Sequence, residues 1–150
     1  MIVHKLGRLF VALFILFGVF LSACTPFASP YSAEAFRQAT TIKAQSLALI
    51  EDATDDFKTH EARADALLIN ISEAYEFARG RGNRTTDAAA SQWSAILDPD
   101  GGSVGGFISQ WREKGRMSDF FIDQFSEVIA LQFDSIIELE TGRNISLEEN

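Results

Sequence analysis

Histidine, serine and carboxylate side chains are the groups from which this chain could build a reactive site. His60 and His4 are its two histidines. Asp56 lies four residues before His60 and Glu61 beside it, so an imidazole and a carboxylate one helical turn apart could share a metal ion. Di-iron sites in helical bundles need two Glu-x-x-His units and two further Glu, which His60, the only histidine beyond residue 23, cannot supply. His60 therefore reads as a surface histidine among acids, and no metal or other cofactor is implied. Glu51, Asp52, Asp55 and Asp56 crowd four carboxylates into six residues. A calcium loop would need backbone carbonyls and a fixed ligand spacing that this run lacks, so a solvated helix end is the simpler reading. Asp98-Pro99-Asp100-Gly101-Gly102 fails as a calcium loop too, because Gly102 and Ser109 stand where oxygen ligands belong; it reads as a turn. No serine lies in a Gly-x-Ser-x-Gly elbow, and no glycine-rich phosphate loop follows a strand. The residue inventory thus points away from an enzyme.

Two basic clusters stand out in an acidic chain. Of 150 residues, 13 are Lys or Arg and 21 are Asp or Glu, for a net charge of −8. That balance argues against nucleic acid as a partner. Arg79, Arg81 and Arg84 form one cluster, and Arg112, Lys114 and Arg116 the other. Both lie at expected helix ends, where cations offset the helix dipole. Arg81 and Arg84 fall in an expected loop, which the dipole does not explain. The six are candidate partner-binding residues for an anionic envelope component or an acidic protein face. Trp93, Trp111 and Tyr75 lie near them in sequence; Arg with aromatics is typical of interfaces, although core packing is the favoured reading for both Trp.

The elements that must position these residues are helices. Ser32 is a plausible N-cap with Glu34 in the first turn. Ala35, Ala39, Ile42, Ser46, Leu49 and Ala53 follow at three- and four-residue steps. Thr54-Asp55-Asp56 interrupts the pattern, which predicts a kink or tight turn with Thr54 as the next cap, or else one continuous helix. A second stripe (Phe57, Ala64, Leu67, Leu68, Ile71, Ala74, Tyr75, Ala78) ends at Gly80 and Gly82. A polar loop is expected from Gly80 to Asp87, then a short helix from Ala88 to Leu97 capped by Asp87. Ser103 is expected to cap another, over Val104–Lys114, weakened by Gly105 and Gly106. Ser118 should cap the last helix. Its broad apolar face (Phe121, Ile122, Phe125, Val128, Ile129, Phe133, Ile136, Ile137) makes it the expected centre of the core, with Gln132 on that face or at its edge. It should stop at Thr141-Gly142-Arg143. No strand alternation persists. The expected fold is all-α: a small antiparallel bundle of three long helices plus two short ones that cap one end.

The start of the chain has a different character. His4, Lys5 and Arg8 precede an apolar run, Leu9 to Leu21, broken only by Gly18. Thirteen residues are too few to span a bilayer, which takes about 20, and fit the apolar region of an export signal. Leu21-Ser22-Ala23-Cys24 follows, and Cys24 is the sole cysteine. These four residues resemble the lipobox of bacterial lipoproteins. The resemblance covers the first 24 residues and implies that residues 1–23 are a signal peptide and that Cys24 is diacylated and becomes the first residue. It implies attachment to a membrane of the cell envelope through that lipid. Thr25, where an Asp would favour inner-membrane retention, implies the outer membrane, facing the periplasm. Two or three acyl chains hold a protein stably where one is marginal. In a bacterium the sequons at Asn70, Asn83 and Asn144 are silent.

The expected organisation is a signal peptide (1–23), a lipidated tether (24–31) stiffened by Pro26 and Pro30, a helical domain (32–143) and a polar tail (144–150). The chain from Cys24 onward carries 11 basic and 21 acidic residues. The expected function is a non-enzymatic binding lipoprotein. Two alternatives stand beside it: a bundle that holds a lipid or small molecule in a cavity lined by the last helix, and an exclusion or immunity lipoprotein.

Overall fold

The computed structural model describes residues 31–82 and 84–141, with the side chains at 84–86 left aside. The signal peptide, Cys24, most of the tether and the polar tail lie outside the described residues. Five helices run in chain order: α1 (Ala33–Glu51), α2 (Phe57–Gly80), α3 (Arg84–Leu97), α4 (Val104–Lys114) and α5 (Asp119–Thr141). The fold is all-α, an antiparallel bundle of three long and two short helices.

Ser32 caps α1 as its type suggests, its Oγ accepting from the Ala35 N–H at 3.2 Å. Glu34 in the first turn accepts from Arg37, and that hydrogen bond holds its carboxyl below the ordinary range. The chain breaks after Glu51 into a 3-10 turn, Asp52–Thr54. The two-helix reading of this stretch is the observed one, but the second helix starts later than Thr54. The Asp56 carboxylate accepts from the Lys58 N–H at 3.1 Å and supplies the cap. Thr54 cannot serve, because it still belongs to the 3-10 turn.

α2 ends at Gly80, and Gly82 takes the left-handed conformation, φ +57°, that glycine tolerates best. α3 then begins at Arg84, so most of the expected polar loop is helix. Asp87 sits in the first turn of α3, where its charge favours the helix dipole, rather than before it as a cap. At the other short helix, Ser103 precedes α4 but makes no capping bond; its Oγ is buried and unpartnered. Ser118 does cap α5, its Oγ 3.4 Å from the Phe121 N–H.

Four walls result. α1 packs on α2 and α5, and α3 packs on the same two helices from the other side, leaving α2 and α5 diagonal. α2 is about 36 Å long at 1.5 Å per residue, whereas α3 reaches only about 21 Å. α4 turns against α2 and α3 and fills the remaining length of the short wall. α3 is thus a wall that α4 extends, unlike the expected pair of end caps.

The joint between α3 and α4 explains the two glycines that made α4 look weak. A Cβ on Gly105 would lie 2.6 Å from the Leu97 carbonyl carbon and 2.8 Å from the Asp98 oxygen. One on Gly106 would overlap the Gly101 carbonyl. Glycine lets the helix start press directly onto the preceding turn. Six of the eleven residues of α4 are buried in consequence.

The core centres on this joint and on α5. Trp93, Trp111, Phe107 and Phe133 are its largest fully buried side chains. Trp93 meets Phe133 edge-on at 5.8 Å, and Phe57 meets Trp111 likewise at 5.3 Å, both favourable aromatic geometries. α5 contributes Ile122, Ile129, Phe133 and Ile136, but the apolar face expected of it is narrower than its sequence suggests, because Val128 points to solvent.

Candidate functional site

The six candidate residues fall at the two ends of α2. Arg79 lies in its last turn and Arg81 caps it. At its beginning, the turn from α4 to α5 is stitched on by backbone hydrogen bonds. The Phe57 N–H donates to the Gly115 carbonyl at 2.8 Å, and the Met117 N–H donates to the Ala53 carbonyl at 2.9 Å. Gly115 is left-handed, φ +78°, which lets the chain reverse there. Arg112, Lys114 and Arg116 cluster around that turn. About 36 Å of helix therefore separates the two groups, and they do not form one basic end.

Their side chains differ in how far they are committed. Arg79 pairs with Glu76 at 2.8 Å and lies over the Tyr75 ring. Arg81 is not a surface group: it forms an ion pair with Glu140, which is only 2% exposed, and lies 5.8 Å from the centre of the Phe77 ring. A buried carboxylate needs a cation beside it, so Arg81 works as an internal clamp between the ends of α2 and α5. The side chain of Arg84 is outside the described residues. At the other end, Arg112 pairs with Asp65 at 2.8 Å and stacks over Phe57 at 5.0 Å. Lys114 sits 5.0 Å over the Phe121 ring and reaches Gln110. Arg116 is exposed.

The acidic run occupies the same end as the second cluster. Asp56 is spent on its cap, Asp52 pairs with Arg63, and Asp55 meets His60 at 3.3 Å. The Asp55 carbonyl accepts from the Trp111 Nε1–H at 3.1 Å, tying the α1–α2 turn to α4. His60 is not a surface histidine as expected: its side chain is 14% exposed and its ring lies 5.5 Å from Trp111. No group of three or more His, Cys, Asp or Glu among the described residues is arranged to hold a metal ion. Asp98 accepts from Asp100 and Gly101, the bonding of a plain turn. Gln132 reaches that turn, its Nε2 donating to the Gly102 carbonyl at 3.4 Å. Both Trp lie in the core.

Open grooves run between the walls. One of about 410 Å³ lies between α1 and α2, lined by Ala44, Ala48, Ala66 and Asn70 among others. Another of about 800 Å³ lies between α2 and α3, beside Tyr75, Arg79 and Ser94. The last helix lines neither. Among the described residues, no helix is long and apolar enough to cross a membrane.

Two features escape a reading by apolar periodicity alone, one buried and one exposed. Glu140 looks like part of an acidic helix end, and only the fold brings Arg81 to it. Phe120 and Leu131, 71% and 64% exposed, lie on the outward side of α5. Their signal is angular: they fall opposite Ile122, Ile129 and Ile136 on a helical projection. No known family model, curated protein or solved structure matches this chain.

Proposed function

We propose that this is a lipid-anchored envelope protein of binding type, held by acylated Cys24 at the outer membrane and facing the periplasm. The lipobox resemblance motivates the anchor. The observation that carries the binding role is the position of the second basic cluster, at the opposite end of the bundle from the start of α1. A tether of residues 24–31 spans roughly 20 Å at about 3 Å per residue. It would keep the α1 N-terminus, the α2 C-terminus and the α5 C-terminus close to the membrane. Arg112, Lys114 and Arg116 would then stand a bundle length farther out, presented to an acidic protein face or another anionic envelope component.

The reading leaves Arg79, Arg81 and Arg84 on the membrane side. Arg81 acts there as a clamp on Glu140 rather than a contact for a partner. The non-enzymatic part of the proposal rests on the residue inventory: the histidine of the bundle is engaged with Asp55 and packed at a tilt against Trp111.

Affinity capture from detergent-solubilised membranes tests the proposal. Lys114→Glu/Arg116→Glu should lose the captured partner, while Arg79→Glu should keep it. The same partner profile for all three proteins would remove the distal cluster as the binding site.

A further inference from the structure

The outward face of α5 carries an apolar stripe that none of the other described residues covers. Phe120, Val128 and Leu131 are 71%, 46% and 64% exposed. At 100° per residue, Phe120 and Leu131 lie about 20° apart on the helix surface, with Val128 at the stripe's edge. Gln124 and Glu127 fall between them, both exposed. The stripe runs about 16 Å, three helical turns. Asp119, Asp123 and Glu127 are exposed along it, and none of the three forms an ion pair among the described residues. Asp134, farther along, is by contrast paired with Lys43 of α1 at 2.6 Å.

We infer that this face docks a basic amphipathic helix of a partner protein, three to four turns long. Apolar anchors on a helix face read an apolar stripe opposite them, and flanking charges choose the partner. Arg116 and Lys114 adjoin only the Phe120 end of the stripe; along the rest of it the unpaired charges, Asp123 and Glu127, are negative, which calls for Lys or Arg beside the partner's apolar residues. A second copy of this chain is disfavoured by the same charges. Two copies anchored in one leaflet would meet with their α5 helices parallel, bringing Asp123 and Glu127 against their own counterparts, and like charges so placed repel. Ile69, 59% exposed, stands on the diagonal helix α2 and is no part of the stripe. This surface begins beside the distal basic cluster, whose Lys114 lies over the Phe121 ring, and runs away from it along α5.

The probe is a fluorescent 14-residue helical peptide of lysine and leucine, with leucines at three- and four-residue steps. Its control carries glutamate in place of lysine. The full protein is reconstituted in zwitterionic phosphatidylcholine vesicles, and peptide anisotropy is read against protein-free vesicles. The lysine peptide should bind at least tenfold more weakly to Phe120→Ser/Leu131→Ser. Asp123→Asn/Glu127→Gln should weaken it too and flatten its salt dependence, while Ile69→Ser should bind like the wild type. All these positions are exposed, so each variant keeps its core. Equal affinity after Phe120→Ser/Leu131→Ser, or equal binding of the glutamate peptide, would overturn the inference. So would a wild-type dimer in sedimentation that the same double variant dissociates. The capture at Lys114 and Arg116 leaves this stripe intact, so either proposal can fail alone.

Discussion

Replacing Gly106 with alanine sets two physical effects against each other with opposite signs. By helix propensity alone, alanine in a helix is better than glycine by about 1 kcal/mol. The fold reverses this. The added methyl would overlap the Gly101 carbonyl oxygen and lie 2.9 Å from its carbon, whereas carbon and oxygen normally approach to about 3.3–3.6 Å. The obstacle is backbone, which cannot rotate aside as a side chain can. Either the Asp98–Ser103 turn or α4 must move, and α4 carries Phe107 and Trp111 into the core. Forced repacking of this kind costs about 1–3 kcal/mol or more, and the propensity gain offsets only part of it. We expect a net loss of about 2 kcal/mol. For a domain spanning residues 32–143 that lowers Tm by roughly 6–10 °C. Gly80→Ala is the internal control: it ends α2 with nothing within 4 Å of the added methyl, and should be neutral or stabilising by up to about 1 kcal/mol. Thermal unfolding followed by circular dichroism at 222 nm reads both. A Gly106→Ala protein as stable as the wild type, or more so, would refute the close approach of α4 to the preceding turn.

Arg81→Met should destabilise by about 3–5 kcal/mol in urea unfolding, because it strands the Glu140 carboxylate in the core, and Arg81→Met/Glu140→Leu should recover much of that loss. Lys43→Gln, which breaks a more exposed ion pair with Asp134, should cost no more than about 1 kcal/mol by the same measurement. Trp111→Phe should cost about 2 kcal/mol, through the lost hydrogen bond to the Asp55 carbonyl and the smaller ring. Glu34 has its pKa lowered by Arg37, so the pair contributes above the unfolded carboxylate range and is lost as pH falls through the lowered value. Both side chains are exposed, and Arg37→Ala should shift the acid limb of the unfolding curve only slightly.

Much of the fold is local chemistry and therefore legible in the residues. Ser32 and Ser118 cap helices because their hydroxyls meet backbone N–H groups three residues on, and the spacing of Ile42, Leu49, Ile71 and Ile136 marks buried faces. What local patterns miss is set by parts of the chain that meet only after folding. Gly105 and Gly106 read as helix breakers until Leu97 and Gly101 are seen against them. Arg81 reads as a loop cation until Glu140 is brought beside it. Val128 fits the apolar period of α5, yet the described neighbours of that helix, α1, α3 and the Phe107 side of α4, leave its outer side open. The candidate site shows the same division. The residue types in both basic clusters were evident, but their separation along α2 follows from the Phe57 to Gly115 hydrogen bond, which no periodicity contains.

The proposed lipid anchor at Cys24 would orient the bundle, and Cys24→Ala tests it most directly. Cells are fed a radiolabelled or clickable fatty acid, and the protein is followed for label and for membrane retention. The wild type should carry the label and sediment with envelope membranes, and the variant should lose both. Label retained by the Cys24→Ala protein would contradict anchoring through Cys24, and with it the assignment of one end of the bundle to the membrane and the other to a partner.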